Sequence, residues 1–146
     1  MKRLLVLLIM LLALTPAGAQ EFIGMTEKNI RENMSRENPG MVCDNMVRND
    51  YFRYLKYYSA DGNETWLIFL DNRGQCNGVR ITCGSSSYHT RLKELNDRYR
   101  AKGENRWSYR TGNEEIDVKL KQEEYFFTIT HQRAKDRAKS GNDRAA

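Results

Sequence analysis

Cysteine is the residue type in this chain with the widest chemistry, and two of its three cysteines bracket a strand-like run. Cys76 and Cys83 enclose six residues that include Val79 and Ile81. A β-strand advances about 3.3 Å per residue, so an extended run would separate the two Cα atoms by roughly 23 Å. Because the spacing is odd, their side chains should also point to opposite faces. A disulfide needs Cα atoms within about 7 Å, so we expect no bond between these two cysteines.

Cys43 offers a different disulfide partner. It lies in the link that feeds the first long strand, and Cys76 should start its own strand at the same end of the sheet, which favours a Cys43–Cys76 bond. A Cys43–Cys83 bond and three free thiols are the alternatives. Cys83 shares the parity of Val79 and Ile81, which is typical of a small buried side chain. Since no Cys-x-x-Cys pair and no clustered histidines accompany these residues, we expect neither a metal nor a cofactor.

The residue types needed for hydrolysis are present but poorly arranged. His89 follows three serines, Ser85–Ser87, but serines before a helix usually cap it, and no Gly-x-Ser-x-Gly elbow frames them. Glu114 and Glu115 sit at a hairpin rather than across a cleft. We therefore expect no enzyme. The less favoured alternative, a small secreted hydrolase, requires His89 or His131 in a cleft beside a serine, cysteine or carboxylate.

The first 19 residues are typical of a signal peptide. Lys2 and Arg3 precede an apolar stretch at residues 4–14, which is too short to cross a bilayer, and small residues lead up to Gln20. We expect cleavage near Gln20, a periplasmic or secreted location in an oxidising compartment, and no stable membrane insertion of the mature chain.

The positive charge is not distributed as in a nucleic-acid-binding protein. Residues 20–131 hold 17 basic and 17 acidic side chains, whereas residues 132–146 hold five basic and two acidic ones. The body has no basic stripe with interleaved aromatic residues, so we expect no nucleic-acid partner. The last 15 residues are predicted to form a flexible basic tail.

Two segments of the chain, 56–70 and 106–120, align without a gap. The turn sequence Gly-Asn-Glu falls at Gly62 and again at Gly112, and such a turn between alternating runs predicts a hairpin. The apolar positions that then coincide are Trp66 with Ile116, Ile68 with Val118, and Leu70 with Leu120. Two matched hairpins indicate an internal duplication.

Each hairpin continues into a third strand and follows a helix. Thr26 caps a first helix, and the spacing of Tyr88, Leu92, Leu95 and Tyr99 predicts a second helix over residues 85–102. The fold class expected is α+β, a tandem αβββ-αβββ repeat of antiparallel meander sheets with helices packed on one face. Copy one would span 22–83 and copy two 84–131, within a single domain at 20–131.

The predicted sheet face away from the helices differs between the two copies. Asp117 and Lys119 make this face polar in the second copy, whereas the matched residues of the first are Leu67 and Phe69. Clustered aromatic and aliphatic side chains on an open sheet mark an interaction surface. We therefore predict a binding site made of Tyr58, Leu67 and Phe69, with Arg80 and Arg106 as a charged rim. In the alternative interpretation, Leu67 and Phe69 are covered by the 38–50 link or by the tail.

The order of elements and two short motifs resemble a known superfamily. The segment Ile23-Gly24-Met25-Thr26-Glu27-Lys28-Asn29-Ile30 is similar to the Gly-x-Thr-x-x-x-(Ile/Val) opening of units in the secreted β-lactamase-inhibitor proteins and the small lipoproteins of outer-membrane assembly. The Asp71-Asn72-Arg73-Gly74 turn fits the same pattern, although the lipid-bearing cysteine is missing. The chain also resembles small exported proteins of unknown function from Bacteroides-like bacteria. The resemblance implies a periplasmic or secreted module whose sheet face binds a protein.

The function predicted from the sequence is therefore that of an exported, non-enzymatic protein-binding module that uses the open sheet face. The alternative is a structural component of the cell envelope that associates with itself through the same face. Self-association would need no foreign partner, which distinguishes the two hypotheses.

Overall fold

The computed structural model describes residues 22–44, 51 and 53–134. The expected signal peptide at 1–19 lies outside the described residues, as do residues 45–50 of the link and residues 135–146 of the tail. Helix α1 spans Glu27–Glu37 and helix α2 spans Tyr88–Arg98, preceded by a 3₁₀ turn at Ser85–Ser87. The strands are β1 Met41–Cys43, β2 Arg53–Ser59, β3 Glu64–Leu70, β4 Cys76–Gly84, β5 Arg100–Gly103, β6 Arg106–Thr111, β7 Glu114–Gln122 and β8 Phe126–Arg133.

The eight strands form one antiparallel sheet in the order β1-β2-β3-β4-β8-β7-β6-β5. Strand accounts for 52% of the structure and helix for 24%. The two helices have 11 residues each, and their buried side chains are Ile30, Met34 and Leu95. The expected α+β fold of tandem αβββ units is therefore wrong: the protein is a continuous open sheet accompanied by two short helices.

Two features of the sheet account for this error. Strands β1 and β5 are only three and four residues long, which is too short for an alternating pattern to predict them. In addition, β4 pairs with β8 from Gly78 opposite Gln132 to Gly84 opposite Phe126, and this pairing fuses what were expected to be separate sheets. The second helix was expected to reach residue 102, but it ends at Arg98 because the next residues form β5.

The matched hairpins also differ in their registers. Tyr58 lies opposite Thr65, whereas Thr111 lies opposite Glu114 across the two-residue loop at 112–113. The wider first turn is held by Asp61, whose carboxylate accepts hydrogen bonds from the Ser59 hydroxyl at 2.6 Å and the Asn63 backbone N–H at 3.1 Å. When the second strands of the hairpins, β3 and β7, are matched without a gap, the first strands β2 and β6 are therefore displaced from each other by two residues.

The two faces of the sheet differ as the alternation predicted. Trp66, Ile68 and Leu70 are buried in the core beside the helices, and the intervening Leu67 and Phe69 point to the opposite face and are half-buried. This opposite side is called the open face below. The expected assignment of the β3 side chains to the two faces is therefore confirmed.

The segment that precedes α1 is anchored to the first strands of the sheet. Gly24 donates its backbone N–H to the Cys76 carbonyl at 2.8 Å, and Cys76 returns a bond of 2.8 Å to the Met25 carbonyl. Gly24 has a φ of +88°, a conformation that favours glycine. The Phe22 ring contacts Trp66 with a centroid distance of 6.2 Å. The segment thereby closes one end of the core.

Within the described ranges, no helix is long and apolar enough to cross a bilayer.

Candidate binding face

The structure places all five predicted binding residues on the open face. Tyr58 lies on β2, Leu67 and Phe69 on β3, Arg80 on β4 and Arg106 on β6. Leu67 is directly opposite Arg80, but Tyr58 lies next to the outer strand β1. Arg106 is three strands away from Arg80 in the sheet order, so the face has two regions rather than one compact cluster.

The first region is an aromatic patch. Its members are Val42, Tyr54, Tyr58, Leu67 and Phe69. Tyr54 and Phe69 face each other across the β2–β3 pairing, with ring centroids 6.2 Å apart and ring planes at 54°. Val42 and Tyr58, which are also cross-strand neighbours, are 44% and 37% exposed, so the patch reaches the edge of the sheet.

The cross-strand neighbour of Phe69 on β4 is a glycine. A Cβ atom at Gly78 would lie 3.9 Å from the Phe69 ring, which is an ordinary contact distance, so the ring would not clash with a small side chain there. Gly78 itself adds no side chain to this part of the patch.

The 38–50 link is one of the two segments that could cover the patch, but its first part lies beside the patch instead. Residues 41–43 of the 38–50 link form β1, which extends the sheet in its own plane. Asp44, the last described residue of the link, forms an ion pair of 3.4 Å with Lys56. Residues 45–50 and the tail beyond 134 lie outside the described residues.

The second region is a cationic groove across β6, β7 and β8. Its volume is about 680 Å³, and its polar lining includes Arg106, Arg110, Lys119, Thr130 and Gln132. Arg106 is opposite Lys119, Lys119 is opposite Thr130, and Thr130 is opposite Arg80. These four residues form one row across the strands, and this row connects the groove to the aromatic patch.

The carboxylates of the groove are already engaged. Lys102 lies 2.9 Å from the Glu115 carboxylate and 3.5 Å from that of Asp117, and Arg133 lies 2.9 Å from that of Glu114. The hydrogen bond between Lys102 and Glu115 raises the pKa of the lysine and lowers the pKa of the carboxyl group. These contacts leave the groove with cations that its own acids do not neutralise.

Three of the groove's cations have no such partner among the described residues. Within residues 22–44, 51 and 53–134, no carboxylate forms an ion pair with Arg106, Arg110 or Lys119, and the same holds for Arg80. The arrangement can accept anionic groups from outside the protein.

The expected Cys43–Cys76 disulfide is absent, and none of the three cysteines forms a disulfide. Cys43 is on β1 and Cys76 is on β4, with β2 and β3 between them. Three steps of about 4.8 Å place these strands roughly 14 Å apart, which exceeds the reach of a disulfide. The same separation excludes a Cys43–Cys83 bond.

Cys76 and Cys83 are both buried on the core face, contrary to the expectation of opposite faces. A β-bulge explains this, because Phe69 pairs with Gly78 while Leu70 pairs with Cys76, which leaves Asn77 as an extra residue. Burial raises the pKa of each thiol to about 11, so both are protonated and unreactive at neutral pH.

The two histidines occupy different environments. His131 is only 2% exposed and lies on the core face, with Tyr99 and Tyr109 at ring distances of 6.0 Å. Burial lowers its pKa to about 4. His89 is exposed on α2 and contacts the ring of Tyr88. Ser87 donates its hydroxyl to the Gly84 carbonyl at 3.0 Å, a contact that shapes the turn before α2.

The part of the chain that the structure describes holds no cluster of three or more His, Cys, Asp or Glu residues suited to a metal ion.

Sequence reasoning missed two contributors to the open face. Tyr54 was overlooked, although it shares the parity of Tyr58 and precedes it by four residues. Lys119 was treated as an ordinary solvated residue, because its position opposite Arg106 depends on the register of β6 and β7. The parity of Tyr54 was readable from the sequence, whereas the register was not.

Comparison with known proteins identified no matching family model, no similar curated protein and no similar solved structure.

Proposed function

We propose that this chain is an exported, non-enzymatic module that binds another protein through the open face of its sheet. The observation that carries the proposal is the aromatic patch, where Tyr58, Leu67 and Phe69 occupy the face that the helices do not cover. Large aromatic and aliphatic side chains on a rigid strand lose little entropy on binding and supply most of the energy of many protein interfaces.

The location of the patch supports its use as an interface centre. Leu67 and Phe69 are on β3, which pairs along its length with β2 and β4, so their backbone positions are held from both sides. Lys56 and Arg80 flank Leu67 across the strands. An apolar centre with a charged border is the usual composition of a specific interface.

The residues of the second hairpin supply a matched variant. Leu67→Asp/Phe69→Lys installs the side chains that Asp117 and Lys119 carry on the same face. An aspartate at position 67 would lie between Lys56 and Arg80, so the change should be tolerated by the fold. We expect it to weaken the complex about thirtyfold or more, since removing a hot-spot side chain costs at least about 2 kcal/mol of binding free energy.

Site-specific photo-crosslinking tests the proposal in the native envelope or secreted fraction. A photoreactive amino acid replaces Tyr58, which is 37% exposed within the patch, or Glu32, which is exposed on α1 at the other face. We expect a specific adduct from position 58, its loss in the Leu67→Asp/Phe69→Lys background, and no such adduct from position 32. Unfolding curves of each variant check that the fold is retained.

Three results would contradict the proposal. Equal adducts from both positions would show that the patch is not special, and an adduct that survives the double change would place the interface elsewhere. A crosslink between two copies of the chain would support the self-associating envelope component instead.

A further inference from the structure

The row of cations on the open face is an unusual arrangement for a sheet that binds nothing. Arg106 and Lys119 are directly opposite each other on β6 and β7. Directly opposed side chains have Cβ atoms about 5 Å apart, and like charges in this position are destabilising. Both residues line the same groove.

Within the described segments, no carboxylate that lines the groove is available to neutralise these two cations. Its three carboxylates, those of Glu114, Glu115 and Asp117, are held by Arg133 and Lys102. Arg110 adds another cation to the lining, and Arg80 continues the row beyond Thr130. An anionic group placed between Arg106 and Lys119 would convert an unfavourable contact into a favourable one.

The chain's own C-terminal segment is a poor occupant for the groove. It leaves β8 at the groove, which Arg133 and Ala134 line. Residues 135–146 contain four basic and two acidic side chains, so the segment would add positive charge rather than neutralise it. A molecule that carries negative charge is therefore the better match for the groove.

A dense polyanion matches the groove less well than a protein segment does. Glu114, Glu115 and Asp117 would repel a continuous row of phosphates or sulfates, even though each is paired. Separate carboxylates can avoid them, because the cations themselves are separated: Arg106 and Lys119 are on neighbouring strands, and Arg80 lies about 10 Å beyond Lys119 at the usual strand spacing. The hydroxyl of Thr130 and the amide of Gln132 can hydrogen-bond to a peptide backbone.

We propose that the cationic groove binds an acidic segment of the partner protein, with one carboxylate between Arg106 and Lys119 and another at Arg80. This inference rests on the proposed function, since the row joins the groove directly to the aromatic patch and a single partner would contact both. The groove would recognise the partner by charge, and the patch would hold it by apolar burial.

Peptide binding tests the groove by itself. The probe is a short fluorescent peptide of alternating glutamate and serine, compared with the same peptide carrying glutamine, in fluorescence anisotropy at low ionic strength. We expect the glutamate peptide to bind more tightly, with an affinity that falls as salt is added. Arg106→Glu/Lys119→Glu should weaken its binding about tenfold or more, because both ion pairs become repulsions.

The matched control is Lys28→Glu/Lys93→Glu. It changes the net charge by the same amount at two helix side chains that are 82% and 78% exposed. We expect it to alter peptide binding less than the groove variant does, because both lysines lie on the helices and neither lines the groove. Both double variants are compared with the wild type by thermal unfolding, so loss of the fold cannot be mistaken for loss of binding.

Several outcomes would overturn the inference. The first is equal affinity for the glutamate and glutamine peptides, and the second is an equal loss of peptide affinity in the groove variant and the helix control. The third is groove-dependent binding of polyphosphate or heparin that is tighter than binding of the peptide. Phe69→Ala separates the two proposals, because it removes an aromatic ring of the patch without placing a charge opposite Arg80, and it should therefore weaken the partner crosslink but retain the acidic peptide. A normal patch-dependent crosslink without peptide binding refutes the groove alone. Peptide binding without any crosslink refutes the proposed function.

Discussion

The imidazole of His131 lies inside the core rather than at a catalytic site. Its strand neighbours are Val79 and Val118, and its aromatic neighbours are Tyr99 from the end of α2 and Tyr109 from β6. No hydrogen bond from the described residues reaches its buried Nδ1 atom. Protonation would therefore put a charge on a buried ring whose Nδ1 atom has no hydrogen-bond partner among the described residues, so burial favours the neutral form.

The first prediction follows from this burial. The pKa of His131 is about 4 in the folded protein and 6.5 ordinarily, so the unfolded chain binds a proton first as the pH falls. Stability should be constant above about pH 6.5 and should decrease between about 6.5 and 4, by about 3 kcal/mol in total. Urea unfolding across this range measures the loss.

His131→Phe is the control for that measurement, because it keeps an aromatic ring but removes the titrating group. Its stability should change little between about pH 6.5 and 5. Asp61, whose pKa is lowered to about 2 by hydrogen bonds from Ser59 and Asn63, keeps its contribution above pH 3.8 and loses it only below that value. An unchanged pH dependence in His131→Phe would show that other groups cause the loss.

At the scale of the strands, Arg106 on β6 is directly opposite Lys119 on β7, and this like-charge contact should lower the stability of the free protein. Binding of an acidic partner segment, as proposed above, would offset that cost. The second prediction is that Lys119→Glu raises the free energy of unfolding by about 0.5 kcal/mol. Chemical denaturation at low and high salt measures the change.

Lys119→Gln tests whether this increase in the free energy of unfolding comes from charge. This variant removes the repulsion without adding an attraction, so its gain should be smaller, and both gains should shrink at high salt. A loss of stability in Lys119→Glu, or a gain that ignores salt, would contradict the assignment of the pair as repulsive.

At the scale of the whole molecule, two structures join the halves of the sheet. The pairing of β4 with β8 is continuous from Gly78 to Gly84. Helix α2 adds a second connection: Arg91 forms two hydrogen bonds of 2.8 Å to the Glu64 carboxylate on β3, and Asn96 accepts one of 2.9 Å from the Trp107 indole on β6. The halves should therefore not unfold independently.

The third prediction uses the two tryptophans of the chain, Trp66 in one half and Trp107 in the other. In Trp66→Phe and in Trp107→Phe, the fluorescence transition should coincide with the circular-dichroism transition of the same sample, as in a two-state protein. Each variant is compared only with itself, so different overall stabilities do not matter. Separate midpoints within one variant would show that the two halves are distinct folding units.

The features that the sequence predicted correctly depend on local order. The alternation of Trp66 and Ile68 with Leu67 and Phe69 assigns each side chain to a face, because a strand repeats every two residues whatever it pairs with. Thr26 likewise accepts the hydrogen bond from Asn29 that was expected of a helix cap. The predicted aromatic patch was found for the same reason.

The features that were missed depend on pairing between distant residues. The fusion of β4 with β8 and the short strands β1 and β5 make the single sheet, but neither has a period that the chain displays locally. The bulge at Asn77 reverses the face to which Cys76 points. Such an extra residue can be recognised only when the pairing with the neighbouring strand is known.

Apart from Cys76 at the bulge, the sequence by itself therefore determined which of these strand residues face the core and which face outward, since that depends on neighbours two positions away. Only the tertiary structure decided that Arg80, Lys119 and Arg106 stand in one row, because their positions depend on the registers of four strands at once. Register is a property of the assembled sheet, where turn length and long-range packing select one pairing among several that the same alternation permits.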